Sequence, residues 1–119
     1  MESKSTNALK KLEAKGLKFT TYDFLMEVVD RNLKTITLFI EAGIDVNGLD
    51  DGRSPLLWLA SSQNGDRNCE VAELLINAGA DVNFVAVDGL TPLRMAKYHK
   101  HLALIHLLIA NGADNPVSG

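Results

Sequence analysis

The tract Gly43-Ile44-Asp45-Val46-Asn47 returns as Gly79-Ala80-Asp81-Val82-Asn83 and, shortened, as Gly112-Ala113-Asp114-Asn115. The glycines are 36 and 33 residues apart, and between them stand two matching joints, Gly52-Arg53-Ser54-Pro55-Leu56 and Gly89-Leu90-Thr91-Pro92-Leu93. Each part has a mechanical reading. A glycine after an apolar run such as Val71 to Ile76 ends a helix, because it takes the left-handed conformation that a side chain opposes. Asp81, Asn83, Asp88 and Gly89 supply turn chemistry. Thr91 before Pro92 starts a helix: the hydroxyl accepts from an unpaired amide, and proline at the first helical position has no amide to leave unpaired. A unit of helix, glycine, turn, Thr-Pro and helix, repeated about every 33 residues, cannot bury its apolar face alone and is stabilised by stacking on its neighbours.

The pattern extends along the chain. Residues 1–5 are expected to be a disordered tip, and Asn7 to Lys15 a short helix with Gly16 as its stop. Thr20 with Asp23 has the spacing of a capping box and starts a helix running to about Arg31 that buries Phe24, Leu25 and Val28. A helix from Leu33 to Ala42 sets Leu33, Ile36, Phe39 and Ile40 on one face. The wider first interval has an obvious source: Ser61 to Asn68 is a polar, turn-rich run between two helices. The last helix spans about His101 to Asn111, and Pro116 forbids continuation.

Together these tracts closely resemble the ankyrin repeat, over roughly residues 20–115. The resemblance implies an all-α solenoid of stacked helix pairs with projecting β-turn fingers. It further implies a tail and capping helix over 1–19, repeats at about 20–48, 49–84 and 85–115, and a tail over 116–119. The sequence departs from the family pattern in places. Leu57 and Arg94 replace a histidine that bridges neighbouring loops, Lys100 replaces a helix-ending glycine, and Glu27 fills a usually small position.

Composition narrows the function. The net charge is −3, with five lysines against two glutamates in residues 1–18 and seven basic against thirteen acidic residues in the remainder. An acidic body excludes nucleic acid as the main ligand. Cys69 is the only cysteine, so no internal disulfide or cysteine-based metal site is possible. No apolar stretch approaches a membrane span, and a cytoplasmic protein is expected.

Nothing in the sequence assembles an enzyme or a cofactor site. His99 and His101 are two apart, which on a helix directs them to different faces. His106 lies five beyond His101, again a poor pairing. Cys69 opens a helix as a small core hydrophobe, without a histidine nearby to act as base. Ser61 and Ser62 lack a glycine-flanked elbow, and no glycine loop cradles phosphate. Trp58 is expected in the core, as are Leu56, Leu59, Leu74, Leu75, Leu93, Met95, Leu104, Leu107 and Leu108.

A protein-binding surface is the remaining expectation, through finger tips and a concave strip as the resemblance implies. The first finger offers Asp50, Asp51 and Arg53, and the second Val85, Val87 and Leu90, with Phe84 and Ala86 alternating to the opposite side. The first helices add Val29 and Asp30, Ser61 and Ser62, then Tyr98 and His99. The valines read either as an interface core with a charged rim or as stiffeners of a two-stranded turn.

The last helix has almost no charged face, so it is either thinly covered or packs against something. Small stand-alone ankyrin proteins look like bacterial accessory proteins, some of them inhibitors or immunity proteins for a toxin. Occlusion of a toxin or enzyme is thus one alternative, and self-assembly through the last helix another. A monomer is favoured over a homo-oligomer.

Overall fold

The computed structural model describes residues 3–62 and 68–114. Their helices are α1 (Lys4–Ala14), α2 (Thr21–Val29), α3 (Leu33–Glu41), α4 (Pro55–Ala60), α5 (Cys69–Asn77), α6 (Pro92–Tyr98) and α7 (Leu102–Ala110). They form two layers. The first helices α2, α4 and α6 stack in order; behind them α1 packs on α3 and α5 on α7, while α2–α3, α4–α5 and α6–α7 are the hairpins. Extents of 54 × 25 × 23 Å make the stack elongated. Among the described residues no helix is long and apolar enough to cross a membrane.

The second helices share one ending. Leu17, Ile44, Ala80 and Ala113 each donate an amide to the carbonyl five residues back, on Leu12, Phe39, Leu75 and Leu108, at 2.9–3.1 Å. The glycine before each donor has positive φ, from 78° at Gly16 to 104° at Gly79. This bond satisfies a carbonyl that the helix leaves open and turns the chain sharply outward. The four accepting residues are all fully buried and form one continuous row of the core with Phe24, Val28, Leu56, Leu59 and Leu93. α1 is built on the same plan and covers one end of that row.

The first helices α2 and α6 close on the same five-residue bond but without a glycine. Asn32 donates its amide to the Glu27 carbonyl at 3.0 Å and His101 to that of Ala96 at 2.9 Å, across residues Arg31 and Lys100 that hold φ of 58° and 57°. Both are left-handed without being glycine, a conformation costing about 1 kcal/mol for a side-chain-bearing residue. Arg31 therefore lies outside α2, which stops at Val29.

Several expectations are corrected. The N-terminal helix starts at Lys4, not Asn7, because Ser3 caps it, its Oγ accepting from the Thr6 amide at 3.1 Å. The capping box at α2 is half formed. Thr20 Oγ1 accepts from Asp23 N at 3.1 Å, but the Asp23 carboxylate accepts from Lys18 N at 2.8 Å rather than from Thr20. Leu33 begins α3 yet is 36% exposed, and Leu74, Met95 and Leu107 are half-buried at the edge of the core. Of the polar run Ser61 to Asn68, residues 63–67 lie outside the described structure. Asn68 is fully buried, its side-chain amide donating to the Leu59 carbonyl at 3.0 Å and to Ser62 Oγ.

Candidate partner-binding surface

The fingers are held from below by a repeated clamp. Asn47 donates its side-chain amide to the Gly79 carbonyl at 3.0 Å, and its oxygen accepts from Asp81 N at 2.8 Å. Asn83 repeats both bonds one unit on, to the Gly112 carbonyl at 3.0 Å and from Asp114 N at 2.8 Å. Asp45 and Asp81 orient the two asparagines by accepting from their backbone amides, each at 2.9 Å. An aspartate turns the chain and an asparagine two residues later bolts it to the next unit, which is why Asp-Val-Asn recurs.

In the first finger, Asp50 and Arg53 exchange backbone bonds at 3.0 and 3.1 Å around Asp51 and Gly52, at φ 52° and 73°. In the second, Ala86 N reaches the Leu90 carbonyl at 2.9 Å across a turn one residue longer. Arg53 ties the two together. Its guanidinium lies 3.4 Å from the Asp88 carboxylate and stacks 5.4 Å from the centre of the Trp58 ring. Trp58 is only half-buried, contrary to expectation, and its indole N–H donates to the Asp50 carbonyl at 3.0 Å. It is a prop for the first finger, with its apolar body against the helix and its polar edge on the turn. Between the fingers lies a notch of about 270 Å³ lined by Asp51, Gly52, Arg53, Ala86, Val87 and Asp88.

The expected alternation in the second finger holds. Val85 is 62% exposed and Val87 fully exposed, whereas Ala86 is buried and Phe84 half-buried. Leu90 is half-buried, so it belongs to the base of the finger rather than its tip. Asp51 is exposed, while Asp50 and Arg53 are half-buried and already committed to the turn and to Trp58. Leu49, 52% exposed, was missed at the sequence level. It precedes the residue that closes the first finger as Val85 precedes the one that closes the second, and that register was the available signal.

At the far ends of the first helices the contributors divide. Tyr98 is 78% exposed, but His99 is half-buried between Tyr98, 5.0 Å away edge-on, and His101, 5.4 Å away and stacked. The expectation that the two histidines face apart fails because α6 stops at Tyr98 and Lys100 turns left-handed, swinging the rings together. His101 is buried, with Nε2 2.7 Å from the Ser62 carbonyl. A carbonyl only accepts, so Nε2 carries the proton. Ser61 and Ser62 are half-buried, their hydroxyls donating to the Leu57 and Leu59 carbonyls at 2.7 and 2.9 Å. Val29 is half-buried and Asp30 exposed. Among the described residues Arg94, in place of the bridging histidine, bonds within its own finger, to the Gly89 carbonyl at 3.5 Å, and the asparagine clamps join the neighbouring loops.

Among the described residues no three His, Cys, Asp or Glu side chains converge as metal ligands. What the surface offers is exposed aliphatic side chains on the two fingers and an exposed tyrosine at the far end of α6.

The ankyrin-repeat profile, in three copies, matches residues 24–118. The chain belongs to the ankyrin-repeat family. Ankyrin repeats are generally protein–protein interaction modules and generally non-enzymatic. Among solved structures, this ankyrin-repeat chain is similar to the crystal structure of an ankyrin repeat domain from Acinetobacter baumannii AYE, with 29% identity and a TM-score of 0.72. The match covers 77% of this chain and 48% of the other, so the chain spans about half the length of that protein. No curated protein matches the sequence.

Proposed function

We propose that this ankyrin-repeat chain binds another protein without catalysing a reaction, using Val85, Val87 and Leu49 on the fingers, Tyr98 on α6, and Asp51 with the Arg53–Asp88 pair as a charged rim. One observation carries the reading. Val87 is fully exposed at the tip of a turn whose shape is already set by backbone bonds and by Arg53, so its position needs no valine to stiffen it. Aliphatic side chains presented on a preformed support lose little freedom on binding, and an aromatic with a charged edge is the usual make-up of an interface centre and rim.

Affinity capture from the source cell tests this, comparing the native chain with a Val85→Glu, Val87→Glu variant. The reading expects a partner retained by the native chain and lost by the variant, with both proteins showing the same melting temperature. Equal capture by both removes the fingers from the interface.

A second reading, self-association, is favoured by α7. Leu102, 67% exposed, and Ile109 stand on a helix without a charged residue, beside exposed Ala103, His106 and Ala110. Light scattering at high concentration separates the two: a dimer abolished by Leu102→Lys supports α7, and a monomer throughout removes it.

A further inference from the structure

The layer of second helices is not closed. α3 packs on α1 and α5 on α7, but between α3 and α5 runs an open groove of about 510 Å³, lined by Leu33, Lys34 and Thr37 on one wall and Glu70, Glu73, Leu74 and Asn77 on the other. It lies beside the helix at the end of the longest of the three hairpin connections: eight residues join α4 to α5, whereas three join α2 to α3 and α6 to α7. A three-residue joint leaves a helix pair little latitude, and a longer one relaxes that constraint.

Two features of the groove are unspent by the fold. Leu33 and Leu74 follow the helical period of the core, yet one is exposed and the other half-buried, and both face this space. Leucines at core period that line an open groove offer apolar surface to an incoming group. The charges are unspent too. Among the described residues, Lys34, Glu70 and Glu73 make no ion pair or side-chain hydrogen bond, whereas Glu41 on α3 pairs with Lys4 at 3.5 Å. Glu70 and Glu73 are three apart on one helix, so their carboxylates lie side by side along a single wall.

We infer that this groove is a second docking surface, for a short amphipathic segment of a partner protein that lays aliphatic side chains over Leu33 and Leu74 and sets lysine or arginine against Glu70 and Glu73. Charge decides the occupant. Two carboxylates face one ammonium within the groove, and residues 19–119 carry thirteen acidic against seven basic residues, so a basic segment is drawn in and an acidic one is repelled. The groove shares no residue with the finger surface, so both can be occupied at once.

Fluorescence anisotropy with three labelled 14-residue peptides tests the assignment: one of leucine and lysine in amphipathic helical register, one with glutamate for lysine, one with serine for leucine. The native chain binds the first and neither of the others. Glu70→Gln with Glu73→Gln weakens binding about five- to tenfold in low salt, the size expected for two partly exposed charge pairs. Leu33→Ser, at an exposed position that leaves folding intact, weakens it at least as much, and Val87→Glu leaves it unchanged. Equal affinity for the lysine and glutamate peptides, insensitivity to both groove substitutions, or loss of binding in Val87→Glu overturns the proposal. So does a dimer in sedimentation that Leu33→Ser dissolves, which assigns the groove to a second copy of the chain.

Discussion

Asn47 and Gly79, thirty-two residues apart, are joined by the Asn47 side-chain amide donating to the Gly79 carbonyl at 3.0 Å, and the same asparagine accepts from Asp81. The carbonyl belongs to the glycine that ends α5, so one side chain fixes where a helix stops and where the next finger begins. Asn47→Ala removes two bonds at a partly exposed site, each contributing about 0.5–1.5 kcal/mol net, and should destabilise by about 1–2 kcal/mol in urea unfolding. Asn83→Ala should act more locally. It unlocks only the last unit, and hydrogen exchange should show α7 amides losing protection before those of α3.

Gly79→Val should destabilise by about 1–3 kcal/mol, read as a fall in melting temperature. The added Cβ would meet no atom within 4 Å, so the penalty is set by holding a β-branched residue at φ 104° rather than by a clash at Cβ. An unchanged melting temperature would mean that the helix end relaxes without loss.

Lys100→Gly should stabilise by about 0.5–1 kcal/mol, because the strain of a left-handed lysine exceeds the extra chain entropy that glycine loses on folding. Thermal unfolding measures it, and a destabilisation would show that the lysine side chain contributes contacts that offset the strain.

His101→Ala should cost about 1–3 kcal/mol by leaving the buried approach to the Ser62 carbonyl without its donor. Asn32 and Asn68 occupy the same cap position in the other two helix pairs, so His101→Asn should recover part of the loss. Equal loss in both variants would indicate that ring packing against His99, rather than the hydrogen bond, matters.

Much of this architecture was legible because backbone constraints leave marks on residue type. Gly43, Gly79 and Gly112 announce helix ends because little else tolerates their φ, and Ser54 and Thr91 before proline announce helix starts. Arg31 and Lys100 hold left-handed φ with no such mark. Their conformation is imposed by the bonds to Glu27 and Ala96 that close the turn, which no local pattern reports. At the surface, alternation alone exposed Val85 and Val87, since a turn's two sides are set within the turn. The exposure of Leu33 and the His99–His101 stack depart from the sequence reading for a common reason: their surroundings come from a neighbouring helix pair or a chain reversal, and periodicity describes one helix at a time. Leu90 and Arg53 fall between, being on the finger but drawn down by what lies beneath it.

The most direct test of the central claim is site-specific photo-crosslinking in the source cell, with a photoreactive amino acid placed in turn at Val87, Tyr98 and Ile109. The account predicts the same protein adduct from positions 87 and 98 and none from 109. An adduct from 109 alone, or none from the fingers while the chain is demonstrably in complex, would contradict it.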